Sequence, residues 1–372
     1  MDSPAATEVR TPVAHDRRGQ VKCVVWDLDD TLWRGILLED GTVEPRRGVR
    51  EVIRTLDERG ILQSVASRND PDAAERELER LGLAEYFLYP QINWRAKSSS
   101  ILAIASVLRI GADSILFVDD QAFERAEVAA AVPGVLVLDA LELDHLLEMP
   151  ETNPRMISSD ARSRRLMYRA DIVRNAEEAS FEGPSEAFLA SLNMVFRIAP
   201  ATSLDLARAE ELTVRTNQLN STGRTYSHRE LEHMIDSPNC RLLVAGLDDK
   251  YGNYGTIGLA VVETGHDAWT IRLLLMSCRV MSRGVGAILL NHILREARAG
   301  GVLVRAEFVP TGRNRLMYIT YKFAGFSELG TRDGILTLEH RSGRIPGPPA
   351  YVNVLTGCDA TKAHARGVLE RA

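Results

Sequence analysis

The sequence predicts an α/β protein in two globular units: a doubly wound parallel sheet without a large cap, then a C-terminal α+β unit. Three observations carry this reading. The segments "VKCVVW" (21–26), "ILQSVA" (61–66), "SILFV" (114–118) and "VLVL" (135–138) are short apolar runs without polar alternation, as in strands buried on both faces. Amphipathic helical segments separate the first of them. From about Val195 the order changes to a strand, helices, a hairpin and further strands.

Between the first two runs, "RRGVREVIRTLDERG" places Val49, Val52, Ile53 and Leu56 at helical spacing and stops at Gly60. The next helix, "NDPDAAERELERLG", takes Asp70 as its cap and Pro71 at its first position and ends at Gly82. Residues 151 to about 190 are polar and rich in Arg and Glu, which reads as a helical connector. Its cluster "RSRRLMYR" (162–169) reads as a solvated helix face. The second unit runs as a strand over 195–199, helices to about 235, and the hairpin "RLLVAG"/"TIGLAVVET" around the turn "DDKYGNYG". A strand "WTIRLLLMS", a helix over 285–298, a strand "LVRAEFV", a helix over 314–323 and final strands to about 340 complete it. The expected divisions are a flexible tail over 1–20, the first unit over 21–148, the connector over 149–192, the second unit over 193–345 and a tail over 346–372, after "SGRIPGPPA".

Composition narrows the function. With 45% hydrophobic and 26% charged residues the chain is globular, and 372 residues suffice for two or three domains. A net charge of −6 argues against nucleic acid as a partner. No apolar run reaches the roughly 18 residues of a membrane span, and the opening segment lacks the apolar core of a signal peptide, so a cytoplasmic protein without membrane partners is expected. The cysteines Cys23, Cys240, Cys278 and Cys358 show no metal-like spacing.

The stretch "VKCVVWDLDDTLWRG" aims carboxylates off the end of a buried strand. On an extended backbone residues i and i+2 point the same way, so Asp27 and Asp29 face one volume, and Asp119 and Asp120 follow the "SILFV" strand. These four acids outline a site for magnesium, which takes hard oxygen ligands. Asp27 suits the role of nucleophile on phosphorus and Asp29 that of general acid and base. Thr31, Ser67 and Lys97 suit phosphoryl oxygens, Lys97 at a helix start. A calcium loop starting at Asp27 is excluded, because the positions needing Gly and Glu are Leu32 and Leu38.

Taken together, "DLDDT", "ASRND", "RAKSSSI" and "FVDDQAFER" resemble the four motifs of the haloacid dehalogenase (HAD) phosphotransferase superfamily over about residues 21–140. With "TNQLNSTGRTYS" and "LLLMSCRVMSRGVG" added, the chain resembles the FkbH-like proteins of polyketide biosynthesis over nearly its whole length. That resemblance implies the substrate 1,3-bisphosphoglycerate, loss of phosphate, and transfer of a glyceryl group to the thiol of an acyl carrier protein, towards methoxymalonyl-type extender units. The 195–340 unit resembles the acetyltransferase (GNAT) fold. "SRGVGAILLNHILREAR" is similar to its pyrophosphate-holding turn and helix, which implies carrier-arm binding by Arg279, Arg283, Gly284 and Gly286, and "NRLMYITYKFAGF" to a later helix, which adds Asn314. Tyr321 then matches the tyrosine that protonates a leaving thiolate, while Met281 stands where Gln or Arg is usual.

Cys278 closes the strand "WTIRLLLMSC" before this turn, and nearby positive charge from Arg279 and Arg283 is expected to lower its pKa and make it the acyl-accepting nucleophile. Cys23 is the rival thiol but falls in a strand buried on both faces. The alternatives are a HAD phosphatase whose C-terminal unit only binds a partner, and a non-catalytic metal or phosphate sensor.

Overall fold

The computed structural model describes residues 20–369, so the expected tail over 1–20 lies, but for Gln20, outside the described residues. In the N-terminal unit β1 (Cys23–Trp26) leads through α1 (Val49–Glu58) to β2 (Leu62–Ser67) and α2 (Pro71–Arg80). The short β3 (Gln91–Ile92), α3 (Lys97–Leu108), β4 (Ile115–Asp119), α4 (Ala122–Ala131) and β5 (Leu136–Asp139) follow. The strands form one parallel sheet in the order β3-β2-β1-β4-β5. Val24 and Trp26 pack into one apolar cluster and Cys23 and Val25 into another. Successive side chains of β1 thus enter opposite layers, which is why its sequence shows no polar alternation.

The connector is the long helix α5 (Arg164–Ser180). Its basic N-terminus is not the solvated face expected from the sequence. The Arg164 guanidinium donates to the Gly60 carbonyl at 2.5 Å and pairs with Glu211 of the C-terminal unit, while Arg165 pairs with Asp57 at 3.0 Å and stacks on Tyr86. A Cβ on Gly60, whose φ is +68°, would meet the Ala161 carbonyl oxygen at 2.7 Å. The charge run therefore fastens the two units to each other.

The C-terminal unit contains β6 (Met194–Pro200), α6 (Leu206–Arg215), β7 (Cys240–Asp249), β8 (Gly252–Thr264) and β9 (Ala268–Met276). They are followed by α7 (Ile288–Ala299), β10 (Leu303–Phe308), α8 (Arg315–Phe323), β11 (Phe326–Arg332) and β12 (Ile335–His340). The β7–β8 hairpin continues through most of "DDKYGNYG", because Asp248 and Asp249 pair with Asn253 and Gly252 and leave a tight turn at Lys250–Tyr251. The segment expected as a tail over 346–372 is also different. β13 (Val352–Leu355) pairs in parallel with β6, and α9 (Gly357–Leu369) docks with His364 Nε2 2.5 Å from Asp205 Oδ1. The sheet order is β11-β12-β10-β9-β8-β7-β6-β13, so the unit closes only after the Pro/Gly-rich run. The fold class is the one the sequence predicts. No helix among the described residues is long and apolar enough to cross a membrane.

Candidate functional site

Asp27 leaves β1 with its N–H bonded to the Val118 carbonyl at 2.9 Å, which fixes it between two strand ends. Asp119 ends β4, and Lys97 opens α3. The Lys97 ammonium reaches Asp27 Oδ1 at 2.9 Å and Asp119 Oδ2 at 2.6 Å, with all three side chains buried. Asp119 Oδ1 accepts from the Gln121 N–H at 2.7 Å, and Arg125 donates to the Asp119 carbonyl at 2.8 Å. One carboxylate oxygen from each of Asp27, Asp119 and Asp120 lies within 4.8 Å of the others. Three hard oxygens so placed fit a magnesium ion, which otherwise keeps water in its shell.

Burial pushes the Asp27 carboxyl up to about 7, with Lys97 pulling it down and Asp119 adding to the rise. Burial opposes the charge on Lys97, but Asp27 and Asp119 outweigh it and the ammonium is held more firmly than usual. Burial also raises Asp120, assisted by Asp119. The buried Ser67 hydroxyl makes no hydrogen bond, yet sits close enough to Asp27 to favour the carboxylate.

Two of the expected roles need correction. Asp29 is outside the carboxylate group that fits a metal. The strand stops at Trp26, and the N–H groups of Thr31, Leu32 and Trp33 all turn back to the Leu28 carbonyl, so the i, i+2 rule of an extended chain does not apply. Asp29 Oδ1 instead accepts from Trp33 Nε1 at 2.8 Å and the Leu37 N–H at 3.1 Å, and Oδ2 from Asn69 Nδ2 at 3.0 Å. Thr31 is not free for phosphate either. Its Oγ1 accepts from the Asp120 N–H at 3.0 Å and donates to Asp120 Oδ1 at 3.4 Å, so it positions a carboxylate. Asn69 and Trp33 were the residues missed, although both lie inside the quoted motifs.

The second site is a cleft of about 290 Å³ between the units. Lys22, Leu62, Ile110 and Gly111 line it from the N-terminal unit, and Arg215, Gln218, Cys278, Arg279 and others from the C-terminal one. Lys22 and Leu62 stand at the starts of parallel strands and Gly111 in the turn that leads into β4, whereas Asp27, Ser67 and Asp119 stand at strand ends. Five residues at ~3.3 Å each separate Lys22 from Asp27 by roughly 16 Å, so the two sites occupy opposite edges of one sheet.

Cys278 is partly buried, with its carbonyl accepting from Arg109 at 3.2 Å and its Sγ 4.0 Å from Gln218 Oε1. Contrary to expectation, burial raises its thiol, and the opposing charges of Lys22, Arg109 and Arg279 do not offset that. Arg279 lines the cleft, but Arg283 turns away to Glu178 and Asn175 of α5 at 2.9 and 3.2 Å. Gly284, at φ +69°, lies against the Tyr351 hydroxyl, whereas no atom lies within 4 Å of where a Gly286 Cβ would stand. Asn314 is spent on the main chain, donating to the Asn220 and Val309 carbonyls at 2.9 Å each. Tyr321 does not line the cleft. It is fully buried against the Phe326 ring, 5.1 Å between centroids, and burial raises its hydroxyl. Cys23 is wholly buried, and burial raises its thiol strongly.

No family model matches the sequence, and no curated protein matches it. Among solved structures, the chain is similar to the N-terminal part of a Bacteroides fragilis protein containing a phosphatase domain complexed with Mg. The identity is 32% over 36% of this chain and 40% of that one, with a TM-score of 0.31. It is similar to the ribosomal-protein-S18-alanine N-acetyltransferase of Escherichia coli at 17% identity over 41% of this chain and 99% of that one, TM-score 0.31. A HAD-superfamily hydrolase from Geobacter sulfurreducens is 18% identical over 32% of this chain and 89% of that one, TM-score 0.28.

Proposed function

We propose that the protein is a bifunctional cytoplasmic enzyme that removes phosphate from 1,3-bisphosphoglycerate and loads the glyceryl group as a thioester onto an acyl carrier protein. The observation that carries the phosphoryl half is the buried Asp27–Lys97–Asp119 bridge beside Asp120, with the unpartnered Ser67 hydroxyl next to Asp27. Asp27, Asp119 and Asp120 would hold magnesium, which when bound neutralises phosphoryl charge. Asp27 attacks phosphorus, the P–O bond to the leaving group breaks, and that oxygen takes a proton from Asp29. Water, deprotonated by Asp29, then releases inorganic phosphate from Asp27. Asp29 Oδ1 is saturated by two donors, so Oδ2, held by Asn69, is the oxygen with a lone pair left for the proton. Lys97 and Ser67 bind phosphoryl oxygens.

In the acyl half the Cys278 thiolate attacks the acyl carbon of the mixed anhydride. The C–O bond to phosphate breaks, inorganic phosphate leaves with the electron pair, and the thiol proton goes to solvent. The pantetheine thiol then displaces Cys278. Intact-protein mass spectrometry with enzyme, magnesium, 1,3-bisphosphoglycerate and carrier tests this: a glyceryl mass gain on the carrier is expected, and none refutes the loading step. The raised Cys278 thiol favours a second reading, a phosphatase whose C-terminal unit only binds a partner. Steady phosphate release without any carrier, and no adduct on Cys278, would select it.

A further inference from the structure

All seven charged residues that line the interdomain cleft are cations, in a chain whose net charge is −6. Some are neutralised from behind. Arg164 and Arg208 share Glu211, and Arg313 meets Asp113 at 2.9 Å. Others are not. Lys22 donates to the Arg215 carbonyl at 2.8 Å, Arg109 to the Cys278 carbonyl at 3.2 Å and Arg279 to the Tyr254 carbonyl at 2.5 Å. Among the described residues none of these three pairs with a carboxylate within 4.0 Å, and Arg279 Nη1 is buried without a hydrogen-bond partner. Arg215 approaches Glu211 only to 3.8 Å.

Cations gathered in this way repel one another and lose hydration. Burial, with the other arginines adding, depresses Lys22 to about 8 and Arg215 to about 9, and it lowers Arg279 even though Asp171 opposes that shift. A dianion with several acceptor oxygens relieves both costs, and guanidinium forks match phosphate geometry. At about 290 Å³ the cleft suits a small phosphorylated group rather than a whole nucleotide coenzyme.

We infer that the interdomain cleft is a phosphate-binding site, gripped by Lys22, Arg109, Arg215 and Arg279, that places a phosphorylated acyl group or a phosphopantetheine arm beside the Cys278 thiol. It binds its anion independently of the Asp27 site on the far edge of the sheet. The identity of what the phosphate carries rests on the proposed acyl role of Cys278, whereas the binding does not.

The test is alkylation of Cys278 in the full chain, read by peptide mass spectrometry, with anionic iodoacetate and neutral iodoacetamide and with Cys240 as internal reference. Iodoacetate is expected to be favoured several-fold more at Cys278 than at Cys240, and inorganic phosphate to slow labelling of Cys278 alone. Arg109→Asn and Lys22→Gln are each expected to lose that preference and that protection. Arg109 is exposed and sits at φ +55°, a conformation Asn tolerates, so this variant keeps the test readable if Lys22→Gln misfolds. Asp27→Asn is expected to leave protection unchanged. Stronger protection by phosphopantetheine than by pantetheine assigns the site to the carrier arm, and acetylation of Cys278 by acetyl phosphate assigns it to the acyl donor. Equal labelling by the two reagents, no protection by phosphate, or protection unaltered in both cation variants overturns the inference even if carrier loading is observed.

Discussion

The Lys97 ammonium touches Asp119 at 2.6 Å and Asp27 at 2.9 Å, so one buried cation bridges two carboxylates that would otherwise repel. Lys97→Ala is expected to destabilise the fold by about 3–5 kcal/mol, the usual cost of stranding a buried charge. Magnesium supplies a replacement cation, so urea denaturation should show a larger stabilisation by magnesium in Lys97→Ala than in the wild type. An equal magnesium effect in both would mean that the carboxylates do not share a cation.

Asp27→Asn is expected to abolish steady phosphate release in the absence of carrier with the fold intact, because the amide keeps the shape and loses the nucleophile, leaving only the phosphate that acylation of Cys278 sets free. Asp29→Asn should leave a slower enzyme, by about 10² to 10⁴ in rate, the range of general acid–base assistance. Phosphate release assays on both variants check this. Equal small losses would make the strand-end cluster structural.

Much of this site was legible because each residue abuts a local signal: Asp27 and Asp119 end apolar runs, and Lys97 opens a helix. Asp29 departs from expectation because the chain turns straight after Trp26, and Thr31 because its partner Asp120 lies 89 residues away. The grouping of Lys22, Arg109, Arg215 and Cys278 comes from four separate elements and leaves no sequence pattern. β13 was hidden because "YVNVL" follows a Pro/Gly-rich run that looks like a boundary, and only its pairing with β6 makes it a strand.

Cys278→Ala is expected to stop carrier loading and remove any enzyme-bound acyl thioester, while phosphate release at Asp27 persists. Cys23→Ala should load normally and lose on the order of 1 kcal/mol of stability through a small cavity. Intact-mass measurement of both variants after exposure to the donor distinguishes them, and an adduct mapped to Cys23 would reverse the assignment.

Glu211 predicts a pH dependence. Burial works against its charge, but Arg164, Arg208 and Arg215 outweigh burial and hold the carboxyl well below its usual value. A depressed folded-state pKa contributes stability that is complete above the unfolded value of about 4.3 and is lost as pH falls below it. Urea midpoints should therefore drop more steeply below about pH 4.5 in the wild type than in Glu211→Gln. Parallel curves would show that the interdomain arginines do not depend on this carboxylate.

The position of Lys22 and Asp27 at opposite edges of the sheet has a kinetic meaning. A compound that visits both sites must pass through bulk solution or swing on a carrier arm around the molecule, since the interior between them is filled by Cys23, Val24, Val25 and Trp26, none of which is accessible. The half-finished product is then open to interception. An added scavenger that consumes free phosphoglycerate would drain the reaction if the intermediate is free, and would leave it untouched if the carrier holds the glyceryl group between visits.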